Sequence, residues 1–456
     1  MRPHRWLFLA FLGGSLSILF FNLWGRSLEN HDYLRYAEVA KEMIHSGDWI
    51  VPRFNWEIYL HKPPLLFWLI ALPSKIYGSV TPFLARLPSA IFAWIGVVVV
   101  YLWGRKIWGG ERYGLISAGV LISSYLYFWY GRMARTDMVV SVLILLSLYF
   151  FYSGYQLPER KMNFQITLSF VFMGMAGLTK GPVGLLLPFL VMTLFLLSQR
   201  QRRFLIQKNF LLGFLITALI LGSWLVPFLS HVGWDKALEA WQETKILTRQ
   251  APFYLYGYRI WADFAPWSIF LPSLLFYYRE KEKNRDEKFL ILWFFGLFFF
   301  LTLFPFRASK YLLPAFPALA LLMGGFWRNR STTLFWVFFL CAITVWHGYE
   351  FKLVQGNANH SRGILIEKEL RPFRGNNFFA YQMDIDILGK INFYGDTILP
   401  QVKRIDDLKW QIVGQKEILF ITPQKIIEDL IKEGFRITPI KIIEHKEMSF
   451  ILAKIQ

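Results

Sequence analysis

The sequence predicts an all-α polytopic membrane domain followed by a small α/β domain outside the membrane. Three observations carry this. The 456 residues are 55% hydrophobic and only 18% charged, with 19 tryptophans, which leaves too little polar surface for a water-soluble protein of this length. Several uncharged apolar runs reach the roughly 20 residues that a helix needs to cross the hydrocarbon core. After about residue 350 the composition shifts to short apolar runs separated by charged stretches. Short alternating segments, the mark of a membrane β-barrel, do not dominate.

Taken in order, membrane spans are expected near 5–24, 83–104, 113–130, 138–155, 164–178, 183–198, 209–229, 260–278, 289–306, 311–327 and 332–349. The first follows Met-Arg-Pro-His-Arg and reads as an uncleaved span, being long for a signal sequence and lacking a small-x-small cleavage site. Residues 65–78 are apolar but short, and read as interfacial or re-entrant. With the N-terminus inside, every inner loop carries Lys or Arg: 105–112, 159–161, 200–208, 279–288 and 328–330. The positive-inside rule thus supports about eleven spans, with room for a further pair, a cytoplasmic N-terminus and an outer C-terminus. The net charge of +19 is explained by these loops and by anionic lipid, not by nucleic acid. Cys341, the single cysteine, lies in an apolar run and cannot form an internal disulfide.

The organisation expected is a transmembrane catalytic domain over 1–350, including an outer juxtamembrane loop at 25–82, and a soluble domain over 351–456. In the loop, 33–46 has the spacing of an amphipathic helix lying on the membrane surface. Leu34, Ala37, Ala40, Met43 and Ile44 share a face, with Arg35, Glu38, Lys41 and Glu42 off it and Gly47 as the stop. Asp32 falls at the N-cap of this helix, where a carboxylate accepts the first free amides. In the soluble domain, 377–381, 391–394, 417–422 and 448–453 read as strands, and 424–433 and 361–370 as helices.

The outer segments carry Asp32, Arg35, Glu38, Lys62, Arg132, Arg135, Asp137, Lys180, Lys245, Arg249, Arg259, Arg307 and Lys310. Topology does not call for cations there, so a site for a lipid-linked phosphate is the functional reading, against scattered solvated charge as the bland one. Asp32 and Asp137 are the two acids. Either is suited to take a proton from an acceptor hydroxyl, while nearby Lys and Arg hold a phosphate leaving group. No Ser-His-acid set, cysteine pair or His-x-x-His cluster offers a competing chemistry.

At these residues the sequence resembles a known family. Asp32-Tyr-Leu-Arg-Tyr-Ala-Glu, Gly47-Asp-Trp-Ile-Val-Pro, Lys62-Pro-Pro-Leu-Leu-Phe-Trp, Arg132-Met-Ala-Arg-Thr-Asp137, Leu178-Thr-Lys-Gly-Pro182, Ala251-Pro-Phe-Tyr254, Pro266-Trp-Ser-Ile-Phe-Leu-Pro272 and Ser309-Lys-Tyr-Leu-Leu-Pro314 follow the order seen in the aminoarabinose (undecaprenyl-phosphate-aminoarabinose: lipid A) transferases. Protein O-mannosyltransferases are more distant relatives. The resemblance runs from about residue 5 to 325. It implies a GT-C architecture of about 11–13 membrane helices with juxtamembrane helices, sited in a bacterial inner membrane with the C-terminal domain periplasmic. It further implies inverting transfer of a sugar from a polyprenyl-phosphate donor to a periplasm-facing acceptor, lipid A or another lipopolysaccharide sugar, by a monomer.

Carried over, Asp32 matches the family's key acid, Asp137 its second acid and Lys62 its donor-phosphate lysine. Lys310 and Tyr311 match a donor-side motif, and Arg35, Arg135 and Lys180 join the substrate-binding set. A donor-phosphate cation is expected in the 230–259 loop, with Lys245, Arg249 and Arg259 all open. The chain departs from the family at Tyr33, where a second acid is common, and at His61, where a glutamate is common as a metal ligand. No cofactor is required by this reading, and a divalent ion at His61 stays open. Protein O-glycosylation is the alternative within the class. A lipid-linked sugar flippase is the alternative outside it, and it calls for mid-span ionisable residues and an internal repeat, neither of which is seen.

Overall fold

The structure, a computed structural model, describes all residues except 1–2, 29–30, 244–250, 281, 305, 359–361, 374–377, 413–417, 446–447 and 456. The helices run α1 (Pro3–Phe20), α2 (His31–Ser46), α3 (Leu65–Tyr77), α4 (Pro82–Trp108), α5 (Glu111–Ser123), α6 (Tyr125–Gly131), α7 (Thr136–Tyr155), α8 (Glu159–Lys180), α9 (Pro182–Ser198) and α10 (Lys208–Val232). They continue as α11 (Trp234–Glu243), α12 (Leu255–Asp263), α13 (Leu271–Glu280), α14 (Arg285–Leu303), α15 (Phe316–Phe326), α16 (Thr332–Ala358), α17 (Arg362–Leu370), α18 (Ile385–Gly395), α19 (Ile405–Ile412) and α20 (Ile427–Lys432). The strands are β1 (Arg53–Phe54), β2 (Glu57–Ile58), β3 (Phe378–Tyr381), β4 (Gln401–Val402), β5 (Ile418–Pro423), β6 (Ile437–His445) and β7 (Met448–Ile455).

The chain divides into two compact units. One comprises Met1–Leu23, Leu60–Leu69 and Arg86–Lys352, the other Trp24–Tyr59, Ile70–Ala85 and Leu353–Gln456. Among the described residues, five helical stretches are long and apolar enough to cross a membrane: Pro82–Trp108, Thr136–Tyr155, Lys208–Val232, Ser309–Asn329 and Thr332–Gln355. Of these, Thr136–Tyr155 and Ser309–Asn329 are 83% buried in protein, against 22% for α10 and α16, so the first two form the interior and the last two leave most of their surface for lipid.

Helix covers most of each expected span; 311–327 starts as a 3₁₀ turn before α15, and two others are broken. The span expected at 113–130 parts at Ser124, whose backbone is extended, and the one at 260–278 parts around a 3₁₀ turn at Trp267–Phe270. Irregular backbone at membrane depth is tolerated only where it is buried and satisfied. Here each break serves the other: Tyr125 N donates to Ala265 O at 2.9 Å, and Trp267 Nε1 to Ser123 Oγ at 2.9 Å. Ser123, Ser124, Phe264 and Trp267 are fully buried. Of residues 65–78, Leu65–Tyr77 form the 13-residue α3, about 20 Å long and too short to cross.

In the other unit, a five-stranded sheet has the order β4-β3-β5-β7-β6, parallel across β4-β3-β5 and antiparallel through β7 and β6. Period-two alternation sends Phe378 and Ala380 to a core with Ile366, Leu388 and Ile391, and Phe379 and Tyr381 to a second core with Leu408 and Leu430. Helices therefore cover both faces. Residues 391–394, expected as a strand, lie instead in α18: Asp384 caps it by accepting from the amides of Asp386 and Ile387, and left-handed Asp396 ends it. A four-residue apolar run does not distinguish buried helix from strand. Strand β6 is not evident in the sequence because Pro439 interrupts it; the proline is accommodated by an edge position and a register shift between Pro439 and Lys441.

Helix α2 corrects two expectations. It begins at His31, so Asp32 sits in its first turn and not at the cap. Its polar side is not spread on a membrane surface but committed to protein. Glu42, 1% exposed, accepts the amides of Asn55 and Trp56 at 2.5 and 3.0 Å. Those two residues have φ of 53° and 66° and close the β1–β2 hairpin, so the carboxylate holds a turn with positive φ at both central positions. Lys41 donates to the carbonyls of Asn392 and Thr397 at 2.6 and 3.1 Å, tying α2 to α18.

Glu38 is fully buried on α2, and neither carboxyl oxygen has a hydrogen-bond partner among the described residues. Desolvation pushes its pKa up to about 8; Lys41 opposes this, while Glu42 and Asp396 add to it. The folded state thus keeps a proton that the unfolded chain releases near its ordinary value of 4.5. That stability is fully present below the unfolded value and is lost as pH rises through about 8, at up to roughly 1.4 kcal/mol per pH unit. The expected outcome is a melting temperature that falls between pH 5 and 8.5, with a flatter profile for Glu38→Gln. Parallel profiles for the two proteins would refute the assignment.

Candidate functional site

In the membrane unit the site is built where three chain segments end. Extended Arg135 leads into α7 and places Asp137 in its first turn, 4% exposed. Helix α8 stops at Lys180 because Gly181, at φ +60°, reverses the chain directly into Pro182 of α9. A 3₁₀ turn at Ser309–Ala315 carries Lys310 and Tyr311. A buried carboxylate needs counter-ions. Lys180 Nζ forms an ion pair with Asp137 Oδ1, Arg135 Nη1 lies 3.9 Å from Oδ2, and Lys310 is in electrostatic range. Lys180 Nζ also stands 4.5 Å from the Tyr311 ring centroid, with Lys310 Nζ at 5.8 Å. Thus Asp137, Arg135, Lys180, Lys310 and Tyr311, picked from distant parts of the sequence, form one cluster.

Arg259 reaches the same 3₁₀ turn. Its Nε donates to Ser309 Oγ at 2.8 Å and its Nη2 pairs with Asp263 at 3.0 Å. Lys245 and Arg249 lie outside the described residues. Asp263 was not among the expected site residues, and Ser309 entered only as the first residue of a motif; the i,i+4 spacing of Arg259 and Asp263 was the available signal.

Lys62 follows His61, to whose carbonyl its Nζ donates at 2.9 Å. A methyl group built on Gly181 would meet Pro63 Cγ at 4.0 Å, so this segment abuts the α8–α9 turn. His61, Pro63, Lys180 and Gly181 line a cavity of about 570 Å³ whose remaining walls are almost wholly apolar. Leu221, Trp224, Leu225 and Phe228 enter it from one face of α10 at helical spacing. Among the described residues no three His, Cys, Asp or Glu side chains gather as a metal site, at His61 or elsewhere.

In the other unit, Asp32 is half-buried and its field reaches Arg35 and Tyr59. Arg35 donates to Asp386 of α18 at 2.8 Å through Nε and pairs through Nη2 at 2.6 Å. Burial opposes the arginine's charge, but Asp386 outweighs it and raises its pKa. Burial also pushes the Tyr59 hydroxyl up, with Arg35 opposing. Asp386, more than 350 residues from Arg35, could not be paired with it from sequence.

Two cations expected to serve the site are structural. Arg132, fully buried, donates to the carbonyls of Ile18, Leu19 and Phe21 at 3.0, 3.0 and 2.5 Å and lies 3.5 Å from Glu350. It closes the C-terminal end of α1, where helical carbonyls lack partners. Arg307 donates to the carbonyls of Thr302 and Ala251 at 2.8 and 2.7 Å.

Comparison with known proteins adds the fold's relatives. The crystal structure of ArnT from Cupriavidus metallidurans bound to undecaprenyl phosphate superposes with a TM-score of 0.81 at 18% identity, covering 99% of this chain and 98% of that one. The chain has the GT-C fold. The archaeal oligosaccharyltransferase AglB from Archaeoglobus fulgidus is a more distant neighbour, with TM-score 0.57, 13% identity, and 94% and 70% coverage. A family model described as dolichyl-phosphate-mannose-protein mannosyltransferase matches residues 61–228.

By sequence, an uncharacterized protein of Aquifex aeolicus (strain VF5) is 31% identical over 329 residues, 71% of this chain and 64% of that protein. Undecaprenyl phosphate-alpha-4-amino-4-deoxy-L-arabinose arabinosyl transferase 1 of Pseudomonas fluorescens (strain Pf0-1) is 27% identical over 302 residues, 64% of this chain and 52% of the relative. The chain thus spans between half and two thirds of the length of these curated relatives. Arg135-Thr-Asp137 and Lys180-Gly-Pro182 each place a charged side chain at a helix end, Asp137 in the first turn of α7 and Lys180 at the last residue of α8.

Replacing Arg132 by Ala leaves Glu350 and the carbonyls of Ile18, Leu19 and Phe21 without the guanidinium. The expected cost is about 3–5 kcal/mol, read as a lower melting temperature of the purified protein. Arg132→Lys is expected to recover little of it, because one ammonium cannot reproduce the planar fork. A melting temperature unchanged by Arg132→Ala would contradict the assignment.

Proposed function

We propose that the protein is an inverting membrane glycosyltransferase. It moves one sugar from a polyprenyl-phosphate donor to a periplasm-facing acceptor, lipid A or another lipopolysaccharide sugar. The observation that carries this is the double position of Lys180, which lines the apolar cavity and also belongs to the cation cluster around Asp137. Such a pairing suits a ligand with an isoprenoid chain and a phosphate. The named activity of the curated relatives and the undecaprenyl phosphate bound by the ArnT of similar fold support the same substrate class.

In the proposed reaction the acceptor oxygen attacks the anomeric carbon as its bond to the phosphate oxygen breaks. The polyprenyl phosphate departs with that electron pair. Lys62, Lys180, Arg135 and Lys310 stabilise the charge developing on the phosphate, with Arg259, Lys245 or Arg249 adding a further cation. Tyr311 holds Lys180 and Lys310 over its ring. Asp32 takes the proton of a hydroxyl acceptor as general base. If the acceptor is a lipid A phosphate, already ionised at neutral pH, Asp32 orients it instead. Arg35, clamped by Asp386, positions the first turn of α2 that bears Asp32.

In this reading residues 1–350 are the catalytic membrane domain, 351–456 a periplasmic domain, and the N-terminus is cytoplasmic. The protein acts as a monomer in a bacterial inner membrane. Transfer to protein is the second reading, favoured by the family model described as a protein mannosyltransferase.

Purified protein supplied with an undecaprenyl-phosphate sugar and lipid A is expected to release undecaprenyl phosphate and to yield lipid A heavier by one sugar. Asp32→Asn is expected to lower transfer by about 10²–10⁴-fold while expression and melting stay unchanged. An Asp32→Asn enzyme with wild-type turnover would refute the role of Asp32.

A further inference from the structure

A second apolar cavity, also about 570 Å³, is lined by α12, α13, α14 and α15. Ile260 and Trp261 line it from α12 and Phe294 from α14. Two cations, Arg279 at the end of α13 and Lys283 just beyond, line it as well, and neither makes an ion pair or hydrogen bond among the described residues. This cavity shares no lining residue with the one that contains Lys180.

We propose that this cavity holds the acyl chains of an anionic phospholipid whose phosphate rests against Arg279 and Lys283. Charge complementarity selects that occupant. A neutral lipid fills the apolar volume but leaves two cations without a counter-ion, whereas an anionic headgroup attracts each Lys or Arg beside it. Both residues belong to the basic loop expected on the cytoplasmic side, where anionic lipid is available.

The lipid has a structural consequence. Helix α12 is nine residues long, too short to be stable without packing, and Trp261 on it is 49% exposed to the surroundings. The same helix carries Arg259, which holds Ser309 beside Lys310. A bound lipid therefore buttresses the helix that fixes one edge of the cation cluster. On the proposed function, occupancy lowers the KM for the lipid-phosphate donor and leaves kcat little changed.

The test is native mass spectrometry of the full chain released from mixed micelles of dioleoyl phosphatidylglycerol and dioleoyl phosphatidylcholine. The wild type is expected to retain one phosphatidylglycerol where phosphatidylcholine is stripped. An Arg279→Gln/Lys283→Gln protein is expected to retain at least tenfold less, and a charge-keeping Arg279→Lys/Lys283→Arg protein to behave as wild type. Gly257, on the cavity wall, has open space where a side chain would stand, so Gly257→Leu is expected to fold and to lower retention of phosphatidylglycerol. Equal retention of the two lipids by wild type, undiminished phosphatidylglycerol on the double Gln variant, or a retained polyprenyl phosphate in its place would each overturn the proposal. Retention is read without sugar transfer, so its failure is distinct from a failure of the glycosyltransferase reading.

Discussion

Burying the Asp137 carboxylate at the start of a membrane-interior helix is the constraint on which the membrane unit's site depends. A carboxylate at 4% exposure is stable only with cations brought to it, and those come from the end of α8 and from the residue preceding α7. Meeting that demand fixes where α8 must stop. It also requires the left-handed glycine that turns the chain straight into α9. The 3₁₀ turn bearing Lys310 and Tyr311 then packs its ring beneath the same lysine. A group of cations preorganised in this way costs little reorganisation when a phosphate gains charge, the property that electrostatic catalysis requires.

The second unit solves a related problem with different means. Helix α2 has charged residues on its buried side, and three are answered by particular neighbours: Arg35 by Asp386, Lys41 by the carbonyls of Asn392 and Thr397, Glu42 by the hairpin amides. Glu38 has no such answer and keeps its proton instead. The first turn of α2, with Asp32, is thereby held through residues that lie hundreds of positions later in the chain. Arg132 plays the corresponding part in the membrane unit, where it ends α1 and meets Glu350 of α16.

How much of this was legible in the sequence follows from the range of each interaction. Hydropathy placed the five described stretches that are long and apolar enough to cross a membrane, because the bilayer imposes length and polarity locally, residue by residue. It missed the breaks at Ser124 and around Trp267, because each is satisfied by the other across the fold. The apolar stripe of α2 was readable, yet the burial of its acidic side was not, since nothing local announces that Asn55, Trp56 and α18 cover it. In the sheet, Asp384 and Asp396 were the terminal signals that make 385–395 a helix, and they were outweighed by an apolar run of strand-like residues. The motif residues were found as types in order; that Arg135, Asp137, Lys180, Lys310 and Tyr311 converge while Arg132 and Arg307 serve backbone carbonyls is a matter of three dimensions.

Sugar transfer is tested most directly by mass spectrometry of lipid A and glycoproteins from cells with and without the gene. A lipid A species heavier by one sugar is expected, and it is expected to disappear with the gene. Identical lipid A from both cells, with the mass difference falling on protein, would move the acceptor. Identical lipid A and glycoproteins, together with a purified protein that moves lipid between leaflets unchanged, would contradict the claim.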